Sequence, residues 1–190
     1  MVEMLSPLQK QCVPGRHGAA GEAGVILGTR GLRGLGQIAG WAGFEAAAAP
    51  VLKSLGLKTG GCYRTSEQVG DVTAWRITPD KILFEGAGDL SPHATDDLVT
   101  LDLSHARTVI TLNGPAARDL LSQVIAIDVS GAAFGPDEFL QTGIHHVGVL
   151  IQCTGADSFD IIVPGTWAEN LWEVLFENAL PHGLSIAEAA

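Results

Sequence analysis

Between Arg107 and Val124 four local signals follow one another without a gap, and together they constrain the fold more than any other stretch of the chain. Arg107–Leu112 is a β-branched run, Asn113-Gly114 turns it, and Pro115 with the alanines behind it opens a helix through Val124. Proline loses no bond at a first helical position, because the amide it lacks has no intrahelical acceptor. A strand that turns into a helix in this way asks for a sheet on which the helix can lie.

The rest of the chain reads in the same terms. Val25–Thr29 and Leu35–Trp41 are apolar runs bounded by glycine and read as strands. Phe44 to Leu57 reads as a helix with an apolar face of Phe44, Ala48, Val51, Leu52 and Leu55, stopped by Gly56; Pro50 predicts a kink or a late start. Val72–Ile77 and Ile82–Glu85 flank Thr78-Pro79-Asp80-Lys81 as a hairpin, and Asp96–Ala106 reads as a loose helix through Leu98, Leu101 and Leu103. Beyond Ile125–Val129 come the runs Phe139–Gly143, His146–Cys153 and Phe159–Val163, the last two separated by Gly155-Ala156-Asp157. Thr166 is placed to cap a last helix, Trp167–Leu180, with Leu171, Trp172, Leu175 and Phe176 inside.

Strand–helix–strands–helix thus occurs twice. The expected class is α+β: two small subdomains of mainly antiparallel sheet with packed helices. The expected divisions are an extended arm at 1–24, a first subdomain at 25–95 and a second at 96–190. The arm is rich in glycine and proline without a period, and is expected to gain order by lying on a partner.

Charge excludes one class of partner. Residues 1–118 hold 11 bases and 11 acids, whereas residues 119–190 hold 10 acids and neither lysine nor arginine, so the net charge of −10 sits in the last third. Phosphate backbones are bound by basic surfaces, and nucleic acid is therefore not expected. Glu169, Glu173 and Glu177 recur every four residues and line one face of the last helix, either solvated or turned to a basic partner. No run approaches the ~18 apolar residues of a membrane span, and Glu3 and Pro7 interrupt Met1–Pro7 as a secretory signal. A cytoplasmic protein with no membrane contact is expected. Cys12, Cys62 and Cys153 lie far apart without a C-x-x-C, which fits free thiols in a reducing compartment.

Familiar chemistry is hard to find. Gly31-Leu-Arg-Gly34-Leu-Gly36 has the wrong order for a dinucleotide fingerprint and reads as a loop between strands. His145-His146 falls in an expected strand, which sends the rings to opposite faces, and no histidine pair has metal-ligand spacing. Asp102, Ser104 and His105 are too close in sequence for triad geometry and read as a local turn. The residues alone lead to a soluble α+β protein without a self-contained catalytic set and without a metal.

A resemblance adds to this. The block from Asp102 through Asn113-Gly-Pro-Ala-Ala-Arg-Asp-Leu-Leu121, then Ile127-Asp128, then Phe159-Asp-Ile-Ile-Val-Pro164, resembles the aminomethyltransferase family of the glycine cleavage system. With Leu171-Trp172 after Trp167, and with the Leu35-Gly-Gln-Ile-Ala39 strand before an alanine-rich helix, it is similar to the gamma subunits of heterotetrameric sarcosine oxidases in that superfamily.

The resemblance implies the fold of the N-terminal part of the glycine cleavage T-protein. It also implies an accessory, non-catalytic subunit in a flavoenzyme that oxidatively demethylates sarcosine to glycine and passes the one-carbon unit to tetrahydrofolate. The complex then carries FAD, FMN, NAD and tetrahydrofolate, with zinc on the delta subunit and no cofactor on this chain alone. Its partners are the alpha, beta and delta subunits, principally alpha. Related complexes act on N-methylglutamate, and a stand-alone folate-binding protein is the other alternative. One residue carries over: Asp128 stands where the family places a folate-handling aspartate, although Ile127 precedes it where the family has asparagine. Otherwise Asp128 is a turn acceptor at a strand end.

Overall fold

The computed structural model of the chain describes residues 6–188. The first five residues, on which the reading of Met1–Pro7 rests in part, lie outside that range. In chain order the elements begin with β1 (Gly15–His17), β2 (Val25–Arg30), β3 (Leu35–Gly40), α1 (Phe44–Ser54), β4 (Glu67–Val69), β5 (Val72–Thr78), β6 (Lys81–Glu85) and β7 (Leu98–Asp102). They continue with β8 (Arg107–Asn113), α2 (Ala117–Val124), β9 (Phe139–Ile144), β10 (Val147–Gly155), β11 (Ser158–Pro164), α3 (Ala168–Ala179) and β12 (Leu184–Ile186). The class is α+β, as the two strand–helix–strands–helix passages imply.

Two compact units divide the chain: the residues up to Gly31 together with Ala106 onward, and Leu32–His105. This differs from the expected 25–95 and 96–190 at both edges, and strand pairing is the reason. β2 pairs antiparallel with β8, Thr29 opposite Ile110, which takes 25–31 into the larger unit. β7 pairs with β3, Ile38 opposite Thr100, which keeps the segment after residue 95 in the smaller one.

The larger unit is a seven-stranded sheet in the order β1-β12-β2-β8-β11-β10-β9, antiparallel except for β12 beside β2. Period-two alternation decides its faces. Ile110 and Leu112 of β8, Phe159, Ile161 and Val163 of β11, and Val149, Ile151 and Cys153 of β10 share one core with Leu120 and Leu121 of α2 and Leu171, Trp172 and Leu175 of α3. Each fully buried large side chain stabilises the fold by roughly 1.5–3 kcal/mol. Trp172 is 3% exposed in that core, whereas Trp167 is 50% exposed, a distinction the sequence leaves open. Thr166 does not cap α3: it lies in a 3-10 turn, Gly165–Trp167, which leads into the helix with no side-chain cap. Gly114 makes the β8–α2 turn at φ 114°, and a Cβ there would stand 2.5 Å from the Gly24 carbonyl oxygen. Only glycine fits that position.

The N-terminal arm departs from expectation. Leu8 and Cys12 are buried in the larger unit's core, and β1 pairs with β12 near the other end of the chain. The described part of the arm is ordered by its own unit, through two buried apolar side chains and three paired residues.

The smaller unit is an antiparallel sheet, β4-β5-β6-β3-β7. Phe44, Ala48, Val51 and Leu52 of α1 share a core with Ile38, Ala74, Ile82, Phe84 and Leu98. Pro50 sits inside α1 without dividing it. Its missing amide falls opposite Ala46, and both residues are exposed, so water can serve the orphaned carbonyl. β7 replaces the helix expected over Asp96–Ala106. Leu98 is buried, Val99 exposed and Thr100 half-buried, an alternation that three leucines at spacings of three and two conceal.

Candidate functional site

Asp128 lies in the segment after α2, where buried Ile125 and Val129 anchor the chain and Ile127 and Asp128 project outward. Its Oδ1 accepts the Ser130 N–H at 2.9 Å, and that bond holds the carboxyl below the usual carboxylate range. Among the described residues, Ser130 is its hydrogen-bond partner.

The segment around Asp128 is held by Arg118 of α2. Its Nη1 donates to the carbonyls of Val129 (2.6 Å) and Phe134 (2.9 Å), its Nε donates to Ala156 O at 2.9 Å, and Nη2 reaches the same Ala156 oxygen. Asp157 Oδ1 lies 3.3 Å from Nε, and the guanidinium stands 5.0 Å over the Phe159 ring. A planar five-donor fork holds fixed directions to three carbonyls, on two separate segments, in a way that a rotating ammonium does not. The arginine in Asn113-Gly-Pro-Ala-Ala-Arg-Asp is therefore a clamp between helix, loop and hairpin.

In the smaller unit Glu67 occupies a nest of backbone amides. Its carboxylate accepts the N–H groups of Lys58 (2.7 Å), Thr59 (2.9 Å) and Gly60 (2.9 Å) and the Thr59 hydroxyl (3.0 Å). Burial alone raises its pKa; the amides of Lys58, Thr59 and Gly61 with the Thr59 hydroxyl outweigh that and hold it at about 2. Positive φ at Gly60 and Gly61 turns the amides inward, and the Gly60-Gly61 doublet was the one sequence signal of this nest. The depressed pKa stabilises the fold above the reference value of 4.5, and that contribution fades as pH falls from 4.5 toward 2. Glu67→Gln is expected to lose about 1–2 kcal/mol at pH 7, allowing for solvent screening. Urea titrations of both proteins should show the gap closing as the medium is acidified; a gap independent of pH contradicts this.

The other polar groups singled out in the sequence are engaged locally. Asp102 Oδ1 accepts the Ser104 hydroxyl (2.6 Å) and N–H (2.9 Å), and Ser104 Oγ accepts the Leu35 N–H (2.9 Å). The serine is thus a brace between β3 and the turn after β7, and its hydroxyl is directed at Asp102 rather than at exposed His105. Gly31–Gly34 forms the loop from β2 to β3. His145 and His146 do not lie in a strand: they are the two turn residues joining β9 to β10, at φ 47° and 67°. Both rings are exposed at the hairpin tip. Cys12 and Cys153 are buried, and burial pushes both thiols up; Cys62 is exposed. Glu169, Glu173 and Glu177 all lie on the exposed face of α3.

A groove of about 380 Å³ also lies within the smaller unit, its walls lined by Gly34, Leu35, Gly36, Asp89 and Asp102 among others. Sequence reasoning met Asp102 only as a triad candidate and did not single out Asp89.

Residues 62–189, more than half of the chain, match the family model described as the GCVT N-terminal domain. The chain belongs to that family. Among GCVT relatives, the sarcosine oxidase subunit gamma of Corynebacterium sp. (strain U-96) is 28% identical, over 88% of this chain and 89% of its own. The aminomethyltransferase of Herpetosiphon aurantiacus is 29% identical over 67% of this chain, and the match spans 38% of that relative's length. Solved structures show the same fold. A chain of the heterotetrameric sarcosine oxidase from Corynebacterium sp. U-96 superposes with a TM-score of 0.80 at 20% identity, covering 94% of this chain and 96% of that one. The glycine cleavage aminomethyltransferase T of Bartonella henselae gives 0.57 at 17% identity, covering 88% of this chain and 48% of that one. No helix among the described residues is long and apolar enough to cross a membrane.

Proposed function

We propose that this chain serves as the gamma-type accessory subunit of a heterotetrameric sarcosine oxidase-type flavoenzyme. The extent of the likeness carries the reading. Alignment with the sarcosine oxidase gamma subunit takes in 88% of the chain, against 67% for the aminomethyltransferase, and the TM-scores are 0.80 and 0.57. In this reading the complex oxidatively demethylates sarcosine to glycine in the cytoplasm and hands the one-carbon unit to tetrahydrofolate. FAD, FMN, NAD and tetrahydrofolate, and zinc on the delta subunit, belong to the companion chains: alpha, beta and delta, with alpha the principal contact. A complex acting on N-methylglutamate fits the same plan.

The chain's own residues agree with an accessory role. Ser104, Asp102 and Asp128 are committed to turns, and two of the three thiols are buried. Trp41, Tyr63 and Trp167 are 62%, 55% and 50% exposed, and aromatics are the residues that anchor protein interfaces. The lone chain is therefore expected to self-associate, read by light scattering during gel filtration; a well-behaved monomer counts against the reading.

Kinship with the aminomethyltransferases favours one competing function, folate binding by the lone chain through Asp128. It requires saturable binding of tetrahydrofolate that Asp128→Ala abolishes. Calorimetry showing no heat above dilution at millimolar folate removes it.

A further inference from the structure

β7 is an edge strand, covered at Leu98 by a bridge to Thr95 and open beyond it. Leu98-Val99-Thr100-Leu101-Asp102 has neither lysine nor proline, and its register with β3 runs unbroken from Leu98 to Asp102. Natural sheets blunt an edge with such residues, with bulges or by keeping it short, as in three-residue β4 at the opposite edge of this sheet.

Bond alternation identifies the open groups. Leu103 donates its N–H to Leu35 O at 2.7 Å, so Gln37 with Leu101 and Ala39 with Val99 are the hydrogen-bonded pairs. Thr100 and Asp102 consequently turn their backbone N–H and C=O away from β3. Val99 and Leu101 keep 40% and 49% of their surface exposed.

The groove between Asp89 and Asp102 runs along this same edge, lined also by Thr100 and Leu101. Leu90 packs over Gly36, its Cδ1 2.7 Å from where a Cβ would stand, so a side chain at that position would have to displace it. Ser91 hydrogen-bonds the Asp89 carboxylate and Ser104 that of Asp102, so both walls are charged.

From these features we infer that β7 is a docking edge: it takes an extended segment of a partner polypeptide as an added strand, with a lysine or arginine of that segment seated between Asp89 and Asp102. Backbone bonds to Thr100 and Asp102 supply affinity, Val99 and Leu101 meet the segment's apolar side chains, and the groove selects its charge. Charge complementarity decides the occupant. A second copy of this chain would bring four carboxylates to one seam, with no base on β7 to offset them. The inference rests on the subunit reading for who the partner is: a companion chain of the complex.

The test uses the tagged full-length chain in its native cell, as wild type, Leu101→Lys, and Asp89→Asn with Asp102→Asn. Asparagine keeps an acceptor for each serine, and urea midpoints equal to wild type certify the fold. The expected result is at least a tenfold loss of companion subunits for both variants. Companions recovered at wild-type levels by well-folded variants overturn the docking edge and leave the subunit reading standing. If the wild type itself recovers no companion, the subunit reading fails and the edge is judged alone, by amide NMR of the chain titrated with a peptide of alternating arginine and valine. Shifts at Thr100 and Asp102 that vanish in the double variant support it, and no shift at millimolar peptide overturns it.

Discussion

Replacing Arg118 by methionine is expected to lower the stability of the chain by about 3 kcal/mol or more, one of the largest effects available to a single substitution. The guanidinium serves Val129, Phe134 and Ala156 carbonyls from two separate segments, and its side chain is 16% exposed. Removing it leaves those acceptors without their donor, at about 1–3 kcal/mol for each that water cannot reach. Methionine keeps the aliphatic stem but loses the guanidinium over the Phe159 ring, which adds to the loss. Lysine should recover only a fraction, because an ammonium cannot present the same fork. In urea the methionine variant's midpoint is expected to fall by more than ~1 M. A fall of under ~0.3 M contradicts the clamp.

Arg76 is the smaller unit's counterpart, and here the expected result separates two kinds of partner. Its guanidinium donates to Glu45 Oε1 (2.6 Å), Thr59 O (2.9 Å) and Pro79 O (3.0 Å) and stands 5.7 Å over the Phe44 ring. The Glu45 side chain is 73% exposed, so water screens its pairing and Glu45→Gln should cost under ~1 kcal/mol. Arg76→Met should cost about 3 kcal/mol, since it strips the donor from two carbonyls and Arg76 is otherwise buried. A double-mutant cycle checks this: the coupling of Arg76 to Glu45 should be a small part of the arginine's effect. Coupling that accounts for most of it means the ion pair, not the carbonyls, is what Arg76 is for.

Both arginines illustrate where the sequence is legible and where it is not. The elements with a period or a punctuated start, such as β2, β8, the turn into α2 and the inner face of α3, are visible in the order of residues. Their signals are local: β-branched runs, Asn-Gly, and apolar residues one helical turn apart. β7 was misread because its alternation is short and its leucines fall at helix-like spacing. His145-His146 looked like strand because nothing in the dipeptide announces two left-handed residues, which glycine or asparagine would. The pairing of β1 with β12 joins residues more than 160 positions apart, and the burial of Leu8 and Cys12 depends on a core built by later elements; no local pattern encodes either. The clamp roles of Arg118 and Arg76 were hidden because their acceptors are backbone carbonyls, present at every position. The groove at β7 was hidden likewise, since Asp89 and Asp102 meet only through the fold.

A chain that works as one subunit among several, as proposed above, travels with its companions. Affinity purification of the tagged chain from its native cell, with a gel and a visible absorption spectrum of the eluate, tests it most directly. Companion bands of an alpha, beta and delta set in constant ratio, under a spectrum with flavin maxima, are the predicted result. A single colourless band contradicts it.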